Sequence, residues 1–300
     1  MMNYPTLISI AVLADSMPAS GRFSSKNLHI WDCSGDLMNP PAARAAYEQQ
    51  HILGAAFIDL DHDLSDKTDA TDKASGGRHP LPSREKFAAW VGAMGITPET
   101  QVVVYDRNGC NYCGRAWWML HWIGHENVAV LDGGLQAWVA AGGKLEAGQN
   151  ATSPDFSKPK YPLAGISTAL SAIDSVVNAM TKGTGSGSHT IIDARAAARF
   201  RGEMEPIDPI AGHIPGALNR PFTANLNAQG FFKSPAELKT EFDALLGGRD
   251  PSRVIHHCGS GVSAVPNVLA MQIAGYPPSQ LFAGSWSEWS NTPGLPIAQG

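Results

Sequence analysis

His51-Ile52-Leu53-Gly54-Ala55 returns 162 residues later as His213-Ile214-Pro215-Gly216-Ala217, identical at four positions of five. Working outward from this pair, further blocks recur in the same order. Downstream, Asp132-Gly133-Gly134-Leu135-Gln136-Ala137-Trp138 is echoed by Ala283-Gly284-Ser285-Trp286-Ser287-Glu288-Trp289, and Val103 and Gly124 by Val254 and Gly275, all at an offset of 151. Upstream, Asp32 in Ile30-Trp31-Asp32 matches Asp193 in Ile191-Ile192-Asp193 at 161, and Ile8-Ser9 matches Ile166-Ser167 at 158. A preserved block order with drifting offsets means one domain copied in tandem, with insertions confined to loops. The period is far longer than the roughly 20 to 50 residues of a solenoid unit. A chain of 300 residues is also long enough for two cores. The first copy is expected over residues 1–144 and the second over 165–300, with 145–164 as an ordered linker inside the patternless, polar stretch 142–165.

Within each copy, β-rich runs alternate with helical patterns. Gln101-Val102-Val103-Val104-Tyr105 precedes a helix from Trp117 to Ile123 and then Val128-Ala129-Val130-Leu131. In the second copy the series is Val254-Ile255-His256-His257, a helix from Val265 to Ala274, and Gln280-Leu281-Phe282. Such alternation predicts an α/β fold, each domain a parallel sheet flanked by crossover helices. Residues 183–188 (Gly-Thr-Gly-Ser-Gly-Ser) read as a flexible loop ahead of a strand at Thr190-Ile191-Ile192.

Composition narrows the function classes. With 22 Lys+Arg and a net charge of −5, the chain lacks the basic footprint that nucleic acid requires. No apolar run approaches the roughly 18 residues of a membrane span, and the apolar stretch from Leu7 to Ala14 has no basic residue before it, unlike a signal peptide. Four cysteines are too few for a disulfide framework and fit a reducing compartment, the cytoplasm.

Of these cysteines, Cys258 stands apart. It falls where a strand ends and a helix follows, the place where open α/β sheets bind ligands. In Cys258-Gly259-Ser260-Gly261-Val262-Ser263, the two glycines let the backbone curl so that successive N–H groups aim at one centre. A following helix adds its positive end. These features favour a thiolate nucleophile, or a persulfide, over a merely buried cysteine.

At this point the chain resembles a known family. The Cys-Gly-Ser-Gly-Val-Ser loop, with Gly284-Ser285-Trp286-Ser287-Glu288-Trp289, Asp193-Ala194-Arg195 and Gly212-His213-Ile214-Pro215-Gly216-Ala217, is similar to the tandem-rhodanese sulfurtransferases, and within them to the branch that uses 3-mercaptopyruvate. The resemblance implies two tandem rhodanese-like domains and sulfur transfer through a Cys258 persulfide to a thiol or cyanide, with a thioredoxin-like reductant among the acceptors; the first domain, with Arg107 opposite Cys258 at the offset of 151, is expected to be catalytically inactive. It implies no metal or organic cofactor. Ser260 matches a loop serine that forms a proton relay with a histidine and an aspartate of the first domain. His79, in Gly77-Arg78-His79-Pro80, and Asp61, in Asp59-Leu60-Asp61, are the candidates. Gly259, Gly261, Val262 and Ser263 complete the binding loop, Ser263 standing where the family carries threonine. Arg199 matches an arginine that binds the substrate carboxylate. The family's second such arginine lies in a Glu-Pro-Arg segment, where this chain reads Glu205-Pro206-Ile207-Asp208, and Arg201 and Arg220 are the substitutes the sequence offers.

Thiosulfate remains an alternative donor, although rhodaneses that use it carry a Cys-Arg-Lys loop whose cations suit a dianion. A persulfide-carrier or binding module also stays open, since a carrier would keep Cys258 as well. A cysteine phosphatase is disfavoured, because the arginine of His-Cys-x5-Arg is replaced by Ala264 and the transferred phosphoryl would have no clamp. By offset, Arg107 stands in the first copy where Cys258 stands in the second. Cys110 and Cys113 form a C-x-x-C that leaves a thiol switch open, with no second pair to complete a zinc site. Cys33 reads as core.

Overall fold

The computed structural model describes residues 4–17, 27–150, 153–165, 168–182 and 189–300. The loop read at 183–188 and Ile166-Ser167, the repeat partner of Ile8-Ser9, lie outside the described residues. The chain divides into two compact units. The first comprises Met1–Ser65, Pro82–Ser167 and Ala228–Phe231, the second Asp66–Leu81, Thr168–Asn227 and Phe232–Gly300. Asp66–Leu81, early in the chain, thus belongs with the later unit.

In the first unit the strands are β1 (Leu7–Ile8), β2 (Leu28–Asp32), β3 (His51–Ile52), β4 (Ala56–Phe57), β5 (Gln101–Tyr105), β6 (Val128–Leu131) and β7 (Leu145–Glu146). Its helices are α1 (Ile10–Ser16), α2 (Pro40–Gln49), α3 (Arg84–Ala93), α4 (Cys113–Trp122) and α5 (Gly134–Ala140). Its main sheet runs β1-β6-β5-β2-β4, every pair parallel. The second unit holds β8 (Ala169–Leu170), β9 (Thr190–Asp193), β10 (Leu218–Asn219), β11 (Val254–His257) and β12 (Gln280–Leu281), with α6 (Ile173–Lys182), α7 (Ala197–Phe200), α8 (Pro235–Leu246), α9 (Val265–Ile273) and α10 (Ser285–Trp289). Read from its other edge, its parallel sheet is β8-β12-β11-β9-β10. Strand for strand this is the order of the first sheet, so the sequence repeat is a repeat of topology.

The central strands show why parallel pairing wins. All five residues of β5 are buried, and its Val-Val-Val run suits a strand covered on both faces. β11 is also buried throughout, yet ends in His256-His257. Burial, with His257 and Arg220 nearby, pushes His256 down to about 3. It therefore stays neutral, its Nε2 lying 3.2 Å from Met271 Sδ. Packing beneath each sheet is separate: Ile30, Val103, Leu131 and Trp138 belong to one apolar cluster, and Ile191, Ile255, Phe282, Trp286 and Trp289 to the other.

The His-Ile-x-Gly-Ala repeat is structural. His51 Nδ1 sits 2.8 Å from Tyr47 O with the rings stacked at 3.9 Å, and His213 Nδ1 sits 2.8 Å from Phe200 O with its ring stacked on Phe200 at 3.8 Å. Each histidine therefore ties the end of a helix to the strand-side loop. Gly54 and Gly216 adopt φ of 80° and 79°, a left-handed turn that explains the retained glycine.

Differences from the sequence reading are local. The stretch 142–165, read as patternless, contains β7, which pairs antiparallel with β3. Farther along, the amides of Asp155, Tyr161 and Ala164 donate to Ala93, Ala88 and Ile123 carbonyls of the first unit. A polar extended segment can satisfy its backbone on a neighbouring surface without any periodicity of its own. Helix α4 begins at Cys113 rather than Trp117. Cys33, read as core, lies just past the end of β2 and is buried.

Candidate active site

Cys258 follows the last residue of β11 and is 1% exposed. The Gly-Ser-Trp-Ser-Glu-Trp motif holds it there through backbone bonds. Ser285 Oγ accepts the Cys258 N–H at 3.1 Å and donates to Phe282 O, while the amides of Trp286 and Ser287 donate to Cys258 O and Gly259 O at 3.0 and 2.8 Å. Ser285 itself has φ of 56°, an uncommon conformation for a residue with a side chain, and its hydroxyl bonds account for it. Gly261 adopts φ of 73°, and a Cβ there would collide with the Ala283 carbonyl, so glycine is required twice over. Val262 is buried and its carbonyl accepts the Val265 N–H at 3.1 Å, starting α9. Ser263 is half-buried and makes no hydrogen bond to the described residues.

The amides of Gly259, Ser260, Val262 and Ser263 donate to no group among the described residues. The corresponding loop of the first unit is different. Asp106, the counterpart of His257, accepts the Asn108 and Cys110 amides on Oδ1 at 2.9 and 3.0 Å, and the Tyr112 and Cys113 amides on Oδ2 at 2.8 and 2.9 Å. An internal carboxylate thus fills the anion-binding nest of that loop. Cys110 keeps φ of 66°, matching Gly261, so the loop shape survives. Arg107, in the place of Cys258, reaches Asp32 Oδ2 at 3.5 Å, Ala46 O at 3.2 Å and Gln50 O, capping the end of α2.

Cys110 and Cys113 hydrogen bond to each other. Burial pushes the Cys113 thiol well up. For Cys110 the bond to Cys113 pulls down, but burial and the charges of Asp106 and Asp132 outweigh it. Neither thiol is inclined toward the thiolate that oxidation requires. Among the described residues, no group of three or more His, Cys, Asp or Glu is placed to hold a metal ion.

His79 meets the Cys258 loop within the second unit: its Nδ1 is 2.8 Å from Ser260 Oγ, and both side chains are buried. The segment that carries His79 is fastened by Arg78 N–H donating to Ser287 Oγ at 2.9 Å. Gly77 has no room for a side chain against the Gly284 carbonyl. Asp61 belongs to the first unit, where its amide donates to Asp59 Oδ1 at 2.8 Å.

An alternating chain of charges runs from the sheet to the loop. Asp193, fully buried, holds Arg195 through Nε at 3.1 and 3.0 Å and Nη2 at 2.6 Å. Burial opposes the Asp193 charge, but His257, 3.7 Å away, and Arg195 together hold its carboxyl below the usual range. Arg195 then reaches Glu205 at 3.3 Å, Glu205 pairs with Arg199 at 2.5 Å, Arg199 touches Asp208 at 3.3 Å, and Asp208 pairs with Arg78 at 2.6 Å. Arg199 ends beside the loop: a Cβ built on Gly259 would lie 3.5 Å from its Nη1 and 3.3 Å from Arg78 Nη2.

The two substitutes suggested by the sequence do not reach this place. Arg201 is an exposed side chain paired with Glu203 at 2.6 Å, because it follows α7 on its solvent side. Arg220 bonds Asn225 and Glu241 and stacks on Phe242, a packing role. Arg78 was missed, although it immediately precedes His79. Nothing in linear spacing relates it to a loop some 180 residues away.

A family model described as "Rhodanese-like domain" matches residues 19–141 and 176–292. The chain is 42% identical over 295 residues to the "Probable 3-mercaptopyruvate sulfurtransferase" of Pseudomonas aeruginosa, covering 98% of this chain and all of that one. It is also 42% identical over 270 residues to SseB of Mycobacterium tuberculosis, named as a thiosulfate sulfurtransferase, with 88% of each chain covered. Among solved structures, SseA from Escherichia coli, titled as a 3-mercaptopyruvate sulfotransferase, superposes with a TM-score of 0.73 at 30% identity, covering 95% of this chain and 100% of that one.

Proposed function

The chain belongs to the rhodanese-like domain family, and we propose that it is a sulfurtransferase that moves sulfur from 3-mercaptopyruvate through a persulfide on Cys258. The observation that carries this reading is the second unit's loop, with a cysteine at a strand end, amides left free for incoming negative charge, and Ser260 bonded to His79. The names of the Pseudomonas aeruginosa and Escherichia coli relatives support the donor.

In the first half-reaction the Cys258 thiolate attacks the donor sulfur. The S–S bond forms as the C–S bond breaks, and its electron pair passes to the pyruvate enolate. The proton carried by the donor thiol moves to the enolate carbon, leaving pyruvate and an anionic persulfide. Ser260 and His79 are suited to relay that proton. The relay's carboxylate is assigned to Asp61 from the sequence resemblance alone. In the second half-reaction a thiol or cyanide attacks the outer sulfur and restores the thiolate. Splitting the transfer into two displacements lowers each barrier. The first unit is the inactive copy, since Asp106 already occupies its nest and Arg107 cannot act as a sulfur nucleophile. The four cysteines are free, which supports a reducing compartment such as the cytoplasm and an acceptor of the thioredoxin-like class. No helix among the described residues is long and apolar enough to cross a membrane.

Thiosulfate is the second reading, favoured by the name of the Mycobacterium tuberculosis relative and by the two guanidinium groups beside Gly259. The deciding experiment measures kcat/KM for both donors with cyanide as acceptor. We expect 3-mercaptopyruvate to lead by about tenfold or more, the size of preference a pocket contact supplies. A lead for thiosulfate would reverse the donor assignment. Replacing Ser260 by alanine is expected to lower kcat for pyruvate release about 10²-fold, the lower end for a positioned proton-transfer group. A loss below about threefold would take the hydroxyl out of the proton path.

A further inference from the structure

Two arginines from distant parts of the sequence meet over the residue that follows the nucleophile, and their hydrogen-bonding capacity is only partly used. A guanidinium offers five N–H donors. Arg78 spends one on Asp208, from Nη1, and Arg199 bonds Glu205 and Asp208 through Nε and Nη2. Arg78 Nε and Nη2 and Arg199 Nη1 have no partner among the described residues, and the Arg78 Nε is shielded from solvent. These unspent groups include the atoms nearest Gly259, at 3.3 and 3.5 Å from a Cβ built there. A Cβ at position 259 would already touch both guanidinium groups, so glycine leaves the most room in front of them.

Asp208, almost wholly buried between the arginines, accounts for the convergence. It neutralises part of their mutual repulsion, and its two oxygens hold one guanidinium each. Ile207, which offers no charge, lines an open pocket of about 530 Å³ together with Arg78, Asp208, Ser287 and Glu288, and Arg78 is its one cation. The cation on that wall is therefore contributed by the Asp66–Leu81 segment.

Resting on the 3-mercaptopyruvate reading above, we infer that Arg78 is a specificity residue that grips the donor's carboxylate jointly with Arg199. Each guanidinium supplies charge-assisted bonds to one carboxylate, which fixes the orientation of the α-keto acid relative to Cys258. Because Arg78 adjoins His79, the group that orients the donor and the group that relays its proton ride on one short segment. Seating that segment against Ser287 sets both at once.

The test compares the wild type with Arg78→Gln and Arg78→Lys, using 3-mercaptopyruvate and its neutral analogue mercaptoacetone, which has a methyl group in place of the carboxylate. For Arg78→Gln the ratio of kcat/KM between the acid and the ketone is expected to fall about ten- to a hundredfold, the range for losing a hydrogen bond to a charged group. The loss should lie mainly in KM for the acid, and lysine, which keeps the charge without the fork, should restore part of it. A merely structural role would lower both donors together and leave the ratio unchanged, which would overturn the inference, as would an unchanged KM for the acid. Failure of the wild type itself to release pyruvate from 3-mercaptopyruvate would instead sink the donor reading on which the inference rests.

Discussion

Replacing Cys258 by serine is expected to lower turnover with any sulfur donor by about 10⁴-fold or more, as loss of an enzyme's nucleophile does. Intact-protein mass spectrometry after exposure to 3-mercaptopyruvate should then show no gain of a sulfur atom, whereas the wild type gains one. The chemistry is asymmetric: a thiolate is a strong, polarisable nucleophile toward sulfur, and a serine hydroxyl is neither ionised nor soft. The fold should not suffer. Every hydrogen bond at residue 258 is made by its backbone, to Ser285 Oγ, the Trp286 amide and His257 Nδ1, and the two side chains are nearly isosteric. An unchanged melting temperature would therefore separate lost chemistry from lost structure. Residual activity above about 1% of wild type would place the nucleophile elsewhere.

Arg195→Met is expected to produce the largest loss of stability, about 3–5 kcal/mol in chemical denaturation, because breaking a buried pair strands an uncompensated charge. Asp193 is fully buried, and the variant would leave it facing only His257, 3.7 Å away, whose protonation burial opposes. Glu205 would lose one of its two arginines. The pH dependence has a definite sign. Asp193 is held below its usual range in the folded state, so its contribution is present above the unfolded carboxylate pKa and is lost as pH falls through the lowered folded value. The gap between wild type and variant should thus be widest near neutrality and narrow in acid. A gap below about 1 kcal/mol at neutral pH would mean that the charge chain is not a stabilising element.

Much of this protein was legible in the order of its residues. The tandem duplication, the α/β class and the position of Cys258 after a buried strand all follow from local patterns: repeated blocks, alternating periodicities, and a glycine, Gly261, where the loop demands left-handed φ. Even the His-Ile-x-Gly-Ala repeat was visible as a repeat, although its cause, a histidine stacked on an aromatic ring at a helix end, was not. Such features are local because they depend on neighbours within a few positions, where backbone conformation couples residues directly.

The groups that surround Cys258 were a different matter. The sequence placed Asp66–Leu81 in the first half of the chain, but that segment packs with the second unit and brings Arg78 and His79 to the Cys258 loop. It also offered Arg201 as a ligand, which solvent and Glu203 claim instead. Asp106 reads as one more acidic residue until its carboxylate is seen accepting four loop amides. The sequence alone determined the duplicated architecture and which cysteine ends a strand, because these rest on short-range backbone rules. Only the tertiary structure decided which arginines face the loop and which nest is already filled, because charge and hydrogen bonding act through space, and a side chain's partners are set by packing rather than by its neighbours along the chain.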